Sequence, residues 1–128
     1  MDARRAHTAR PALALLLLLC AGACAHAPRA AAGREAGLAS YQGRAAEGRP
    51  TASGRPYRSA DLSCAHRTQP FGAILRVVDL DTGRAVEVEV IDRGPFVDGR
   101  IVDLSFAAAS SLGIVGRGLA RVEVTRVR

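Results

Sequence analysis

The chain has 128 residues, a length for one domain, and its 18 basic side chains are all arginine against 12 acids. Without residues 1–23, which hold Arg4, Arg5, Arg10 and Asp2, 15 arginines face 11 acids, a net +4 spread along the sequence. With aromatics at only 4%, this argues against base-stacking platforms and specific nucleic-acid readout, and for an anionic polymer or a membrane surface.

The N-terminus reads as an export segment. Arg4, Arg5 and Arg10 precede a short apolar run, Ala12 to Leu19, and small residues follow. That is the pattern of a secretory signal peptide, too short for a transmembrane helix. "AGAC", Ala21 to Cys24, resembles a bacterial lipobox, with Ala21 where such motifs usually carry Leu. Cys24 would then be the lipidated first residue. With Ala25 after it, the anchor would sit at the periplasmic face of the outer membrane. Ordinary cleavage after Ala21-Gly22-Ala23 or Ala25-His26-Ala27 is the alternative, and gives a periplasmic protein. Residues 24–36 are small and lack apolar periodicity, and read as a flexible tether. Cys64 stands alone beyond the segment and reads as a small buried hydrophobe, so no disulfide framework is expected.

The pattern changes at Gly37. "GLASYQG" is a strand candidate, and "GRAAEGRPTASGRPYR" is a long loop rich in Gly, Pro, Ser and Thr. "ADLSCAH" is a short apolar stretch and "AILRVVDL" a β-branched strand. "DTGR" reads as a hairpin turn. In "AVEVEVID", Val86, Val88 and Val90 face one way and Glu87 and Glu89 the other. "RGPFVDGR" is a loop and "IVDL" a short strand. "SFAAASSLG" is a helix that Ser105 can cap and Gly113 can end. "ARVEVTRV" is a last alternating strand. Six short strands and one helix in so small a chain favour a closed barrel, because closure leaves no long sheet edge exposed. Periodicity does not choose the strand order.

Asp81-Thr82-Gly83 matches the aspartic-protease triplet, but those enzymes need a second Asp to share a proton. Between two alternating strands, the triplet is a turn. His7, His26 and His66 are scattered, so no metal site and no cofactor is expected.

Six stretches, "ASYQG" (39–43), "GRPTASG" (48–54), "AHRTQPFG" (65–72), "VIDRGPF" (90–96), "GRIVDLS" (99–105) and "AAASSLGI" (107–114), together resemble the rare lipoprotein A family in order and spacing. The resemblance spans residues 37–128 and implies an all-β, six-stranded double-psi β-barrel with one short helix. It also implies an envelope lipoprotein acting on peptidoglycan, with glycan strands and the outer membrane as partners. Enzymatic members are lytic transglycosylases, which cleave the MurNAc-GlcNAc bond and leave a 1,6-anhydro end. They often favour glycan stripped of stem peptides. Many carry a C-terminal peptidoglycan-binding repeat domain; this sequence ends at Arg128, which leaves septal recruitment open. A monomer is expected.

The resemblance makes Asp103, in "RIVDLS", the catalytic acid/base, and His66, in "AHRT", its partner as the second active-site residue, a hydrogen-bonding group for that carboxyl or for the substrate. Lytic cleavage needs a carboxyl group protonated near neutral pH, and Ile101, Val102 and Leu104 give Asp103 apolar neighbours. Asp103 as a mere helix-entry residue is the competing reading. Asp92, Arg93, Arg67 and Tyr41 are the expected substrate-binding neighbours, and Asp98 a plain turn residue. The family's "TASG" is typically followed by Glu, but here Arg55 stands there. Arginine cannot transfer protons at neutral pH, although it can bind a sugar carboxylate or an acidic stem peptide. Glu47 lies in the same loop. The substitution leaves room for a second reading, a non-catalytic peptidoglycan-binding lipoprotein on the same fold.

Overall fold

The computed structural model describes residues 33–128. The stretch read as an export segment and Cys24 lie outside the described residues, as does most of the stretch read as a tether. The elements follow the periodicities. Strands β1 (Glu35–Tyr41), β2 (Ser63–Ala65), β3 (Ile74–Asp79), β4 (Ala85–Asp92) and β5 (Arg100–Leu104) precede helix α1 (Phe106–Leu112), and β6 (Ala120–Arg126) ends the fold. β1 begins two residues before Gly37, inside the stretch read as tether, because Glu35 and Ala36 already pair with Val124 and Glu123 of β6.

β4 spans the residues that alternate in the sequence. Val86, Val88 and Val90 are buried, while Glu87 is exposed and Glu89 half-buried. Each buried valine contributes about 1.5–3 kcal/mol over its exposed state. Leu75 and Val77 of β3, Val102 and Leu104 of β5 and Val122 of β6 fill the same interior, and none is exposed to solvent. The turn "DTGR" joins β3 to β4 as expected: Gly83 has φ 75° and its N–H donates to the Asp79 carbonyl at 2.8 Å.

The strands close in the order β1-β5-β2-β4-β3-β6. β1/β5 and β2/β4 are parallel pairs, and the remaining contacts are antiparallel. Closure removes every edge, the outcome anticipated for a chain of this size. Helix α1 starts where Ser105 Oγ accepts the Ala108 N–H at 3.2 Å and ends at Gly113, left-handed at φ 79°. The same Ser105 Oγ accepts the Ser63 N–H at 3.3 Å, so the cap ties α1 to β2. Ser105 rather than Asp103 caps the helix, which leaves the Asp103 carboxylate for other contacts.

Candidate active site

The register of the barrel decides which side chains meet Asp103. On β1 its partner is Ser40, and on β2 it is Ala65. Side chains alternate along a strand, so Gln42, two residues beyond Ser40, faces the same way. Ser40 Oγ donates to Asp103 Oδ1 at 3.0 Å, and Gln42 Nε2 donates to Asp103 Oδ2 at 3.2 Å. Both donors are neutral. Burial pushes the Asp103 carboxyl above its ordinary value, the two hydrogen bonds and the positive charge of Arg100 pull it down, and the negative charge of Asp92 adds to the rise. The net direction is up.

A small cleft opens at this carboxyl, and Gln42, Thr51, Tyr57, Cys64 and Asp92 are among its lining residues. Asp92 ends β4, where its Oδ1 accepts the N–H groups of Ala52 at 2.9 Å and Arg93 at 2.8 Å. The "TASG" loop is thereby docked against the end of β4, and the Ser53 N–H bonds the Ile91 carbonyl at 3.1 Å. Tyr57 is buried; its hydroxyl donates to the Gln42 carbonyl at 3.1 Å and accepts the Phe106 N–H at 3.0 Å. Burial pushes the Cys64 thiol far up, so it lines the floor as an inert thiol.

His66 directly follows Ala65, and its N–H bonds the Asp92 carbonyl at 3.1 Å. β2 ends at Ala65, the residue that faces Asp103, and the His66 ring turns to other partners. Nδ1 accepts the N–H groups of Thr68 and Gln69, both at 3.1 Å, which places the ring proton on Nε2, 2.8 Å from Glu35 Oε2. The carboxylate it meets is Glu35, not the expected Asp103. Tyr41 lies away from the cleft: it alternates with Ser40 and Gln42, bonds the Val115 carbonyl at 2.8 Å and packs edge-on against Phe106.

The arginines divide between loop support and the surface. Arg93 bonds the carbonyls of His66 at 3.2 Å and Gln69 at 2.8 Å and stacks over Phe71. Arg67 bonds the Arg100 carbonyl. Arg55 pairs with Glu89 at 2.8 Å. Asp98 is exposed in the turn before β5. Glu47 accepts the Ser59 N–H at 2.7 Å rather than reaching the cleft.

Ser40, Gln42, Thr51 and Tyr57 are the site residues that sequence reasoning passed over. A local signal existed for two of them, since in "ASYQG" Ser40 and Gln42 are polar on the face that Tyr41 leaves. Among the described residues, no cluster of three or more His, Cys, Asp or Glu side chains stands close enough to hold a metal ion.

A family model described as lytic transglycolase matches residues 34–124, which covers all of the barrel but the last two residues of β6. The chain belongs to the rare lipoprotein A family. Its double-psi β-barrel is the closed mixed barrel described above. It is similar to the endolytic peptidoglycan transglycosylase RlpA of Pseudomonas aeruginosa, at 46% identity over 91 residues, covering 71% of this chain and 27% of that protein. It is also similar to the probable endolytic peptidoglycan transglycosylase RlpA of Aquifex aeolicus, at 46% over 92 residues, covering 72% of this chain and 41% of that protein. The chain thus spans well under half the length of these relatives. Among solved structures, the Streptomyces papain inhibitor matches 75% of this chain and 96% of its own at a TM-score of 0.61 and 24% identity. The apo expansin of Clavibacter michiganensis matches 75% of this chain and 51% of its own at 0.59 and 22%. At those identities, the rare lipoprotein A barrel shares with them its fold alone.

Proposed function

We propose that the protein is a peptidoglycan lytic transglycosylase that cleaves the MurNAc-GlcNAc bond and leaves a 1,6-anhydro end. The observation that carries the reading is the setting of Asp103: a carboxyl at a cleft floor, held by two neutral donors and raised toward its protonated form. A protonated Asp103 gives its proton to the leaving glycosidic oxygen. The resulting carboxylate takes the proton of the sugar's own 6-hydroxyl, which attacks the anomeric carbon. Asp92, on the same cleft, opposes the positive charge that develops there. The whole cycle needs one titrating group. His66, bonded to Glu35, is assigned the support of the loop after β2 rather than proton transfer.

The names of the relatives support the same activity, and the export segment supports an envelope protein with Cys24 as its lipid anchor. The other reading, a non-catalytic glycan binder, draws on Arg55, whose guanidinium faces Glu89 and brings no second carboxylate to Asp103. Incubating the protein with sacculi and with peptide-free glycan, followed by mass spectrometry, separates the two. The expected result is 1,6-anhydro products, lost by about 100-fold or more in Asp103→Asn. No anhydro product from either substrate sinks the enzyme reading, and an Asp103→Asn variant of undiminished activity sinks the role given to Asp103.

A further inference from the structure

We propose that the notch between Asp92 and Asp103 is an acetamido subsite, in which Asp92 Oδ2 accepts the N–H of a sugar's 2-acetamido group and small apolar side chains receive its methyl. The proposal rests on the peptidoglycan reading above and names the substituent that the cleft reads.

The register of the barrel makes the notch. Ala65 of β2 is paired with Asp103 of β5 on one side and with Asp92 of β4 on the other. All three line the same cleft, so two carboxylates flank one of the smallest side chains of the chain. Two strand spacings separate the aspartates, about 10 Å between their backbones. Cys64 and Ile91 add to the apolar part of the lining. The hollow is small, with room for one group of about the size of a water or a methyl. It takes a substituent of a sugar and leaves the ring above it.

The polar groups specify which substituent. Asp92 Oδ1 is occupied by the N–H groups of Ala52 at 2.9 Å and Arg93 at 2.8 Å. Among the described residues no donor reaches Oδ2, which leaves a fixed acceptor at the mouth of the notch. The neighbouring donors are committed, Gln42 Nε2 to Asp103 and the Tyr57 hydroxyl to the Gln42 carbonyl. None of the lining residues is Arg or His, so the cleft has no cation with which to receive a carboxylate. It asks instead for a donor that carries a small apolar end.

An acetamido group has that shape. Its N–H only donates, and its methyl is close in size to the hollow. C2 adjoins the anomeric carbon, so a C2 substituent held in the notch sets the scissile bond beside Asp103. A hydroxyl at C2 would reach Asp92 but leave the apolar floor uncovered.

Binding of two neutral sugars tests this without turnover. Chitohexaose and cellohexaose share one backbone linkage and differ at C2, acetamido in the first and hydroxyl in the second. Each is titrated into the protein and followed by its amide resonances. The expected result is roughly tenfold tighter binding of chitohexaose, from one charge-assisted hydrogen bond and one buried methyl. In Asp92→Asn the two backbone N–H groups keep Oδ1 in place, so an amide donor replaces Oδ2 and most of the preference should go. Ala65→Val fills the hollow with a side chain that suits a strand, and should bring chitohexaose down to the level of cellohexaose. Equal binding of the two sugars by the unmodified protein overturns the proposal, as does no measurable binding of chitohexaose, or an Asp92→Asn protein that keeps the full preference. A preference for chitohexaose without anhydro products from sacculi supports the subsite while the enzyme reading alone fails. Anhydro products without that preference sink the subsite alone.

Discussion

Two aspartates at opposite ends of the barrel, one fully buried and one half-buried, show how different partners give opposite chemistry. Asp79 is the last residue of β3, next to Val78, which pairs with Ala85 at the start of β4, while Asp92 and the neighbouring Asp103 lie at the far end of β4. The Asp79 side chain is fully buried, and burial alone would raise its pKa. The Asp81 N–H at 2.9 Å and an ion pair with Arg117 outweigh that burial and hold its carboxyl below the ordinary value. Asp103 is hydrogen-bonded by the Ser40 hydroxyl and the Gln42 amide and feels Arg100 through its charge without a bonded ion pair, and its carboxyl moves up. A cation makes a buried carboxylate a structural clamp; its absence leaves a proton carrier.

The most damaging way to break this contrast is to remove the cation. Arg117→Met leaves Asp79 buried and unpaired, and should cost about 3 kcal/mol in urea unfolding. Adding Asp79→Asn to that variant should recover part of the loss. A single Arg117→Met variant as stable as the parent would show that Asp79 does not depend on its ion pair.

The pH dependence of stability sharpens the contrast. The folded state holds the charged form of Asp79 more tightly than the unfolded chain does. Its stabilisation is complete above the ordinary value of 3.8 and is lost as pH falls through the lower folded value. Asp103 runs the other way: its folded state favours the proton, so its contribution is greatest below 3.8 and declines as pH rises through the raised folded value. Asp103→Asn should therefore melt above the parent at pH 7, with the gap closing near pH 3, while Asp79→Asn should melt below it at pH 7. Thermal midpoints at both pH values read this, and an Asp103→Asn protein that melts lower at pH 7 overturns it. Sites that cost stability for reactivity behave in this way.

The smallest effect concerns the neutral donors. Ser40 and Gln42 lower the pKa of Asp103, so removing either should raise it further. In Ser40→Ala and Gln42→Met the proton stays on to higher pH, and the alkaline limb of product formation should move upward. A limb that stays in place would mean that these donors do not tune the acid.

The contrast also marks what the sequence disclosed. Alternation in "AVEVEVID" and the Ser105 and Gly113 caps located β4 and α1, because both signals are local. The six-stretch resemblance supplied the barrel and pointed to Asp103. The neighbours of Asp103 come from β1 and β2, and pairing between strands more than sixty residues apart leaves no local mark: Ser40 and Asp103 meet only through a parallel register. His66 shows the converse, since the family resemblance offered it as a partner of Asp103 while the backbone after β2 turned the ring to Glu35. Asp81-Thr82-Gly83 read as a turn, but its role in fixing Asp79 beside Arg117 and Arg121 depends on chain that arrives forty residues later.

The strand order has a consequence for how the molecule is made. The neighbours of β1 are β5 and β6, so its ladder partners begin at Arg100 and end at Val124. Only β3 and β4 form a hairpin between consecutive strands. A chain that emerges from its amino end therefore carries β1 unpaired until β5 and β6 have followed it. Folding is slow when most contacts are this distant. The barrel is a ring whose clasp is its last strand, and a truncation before Ala120 would leave it open.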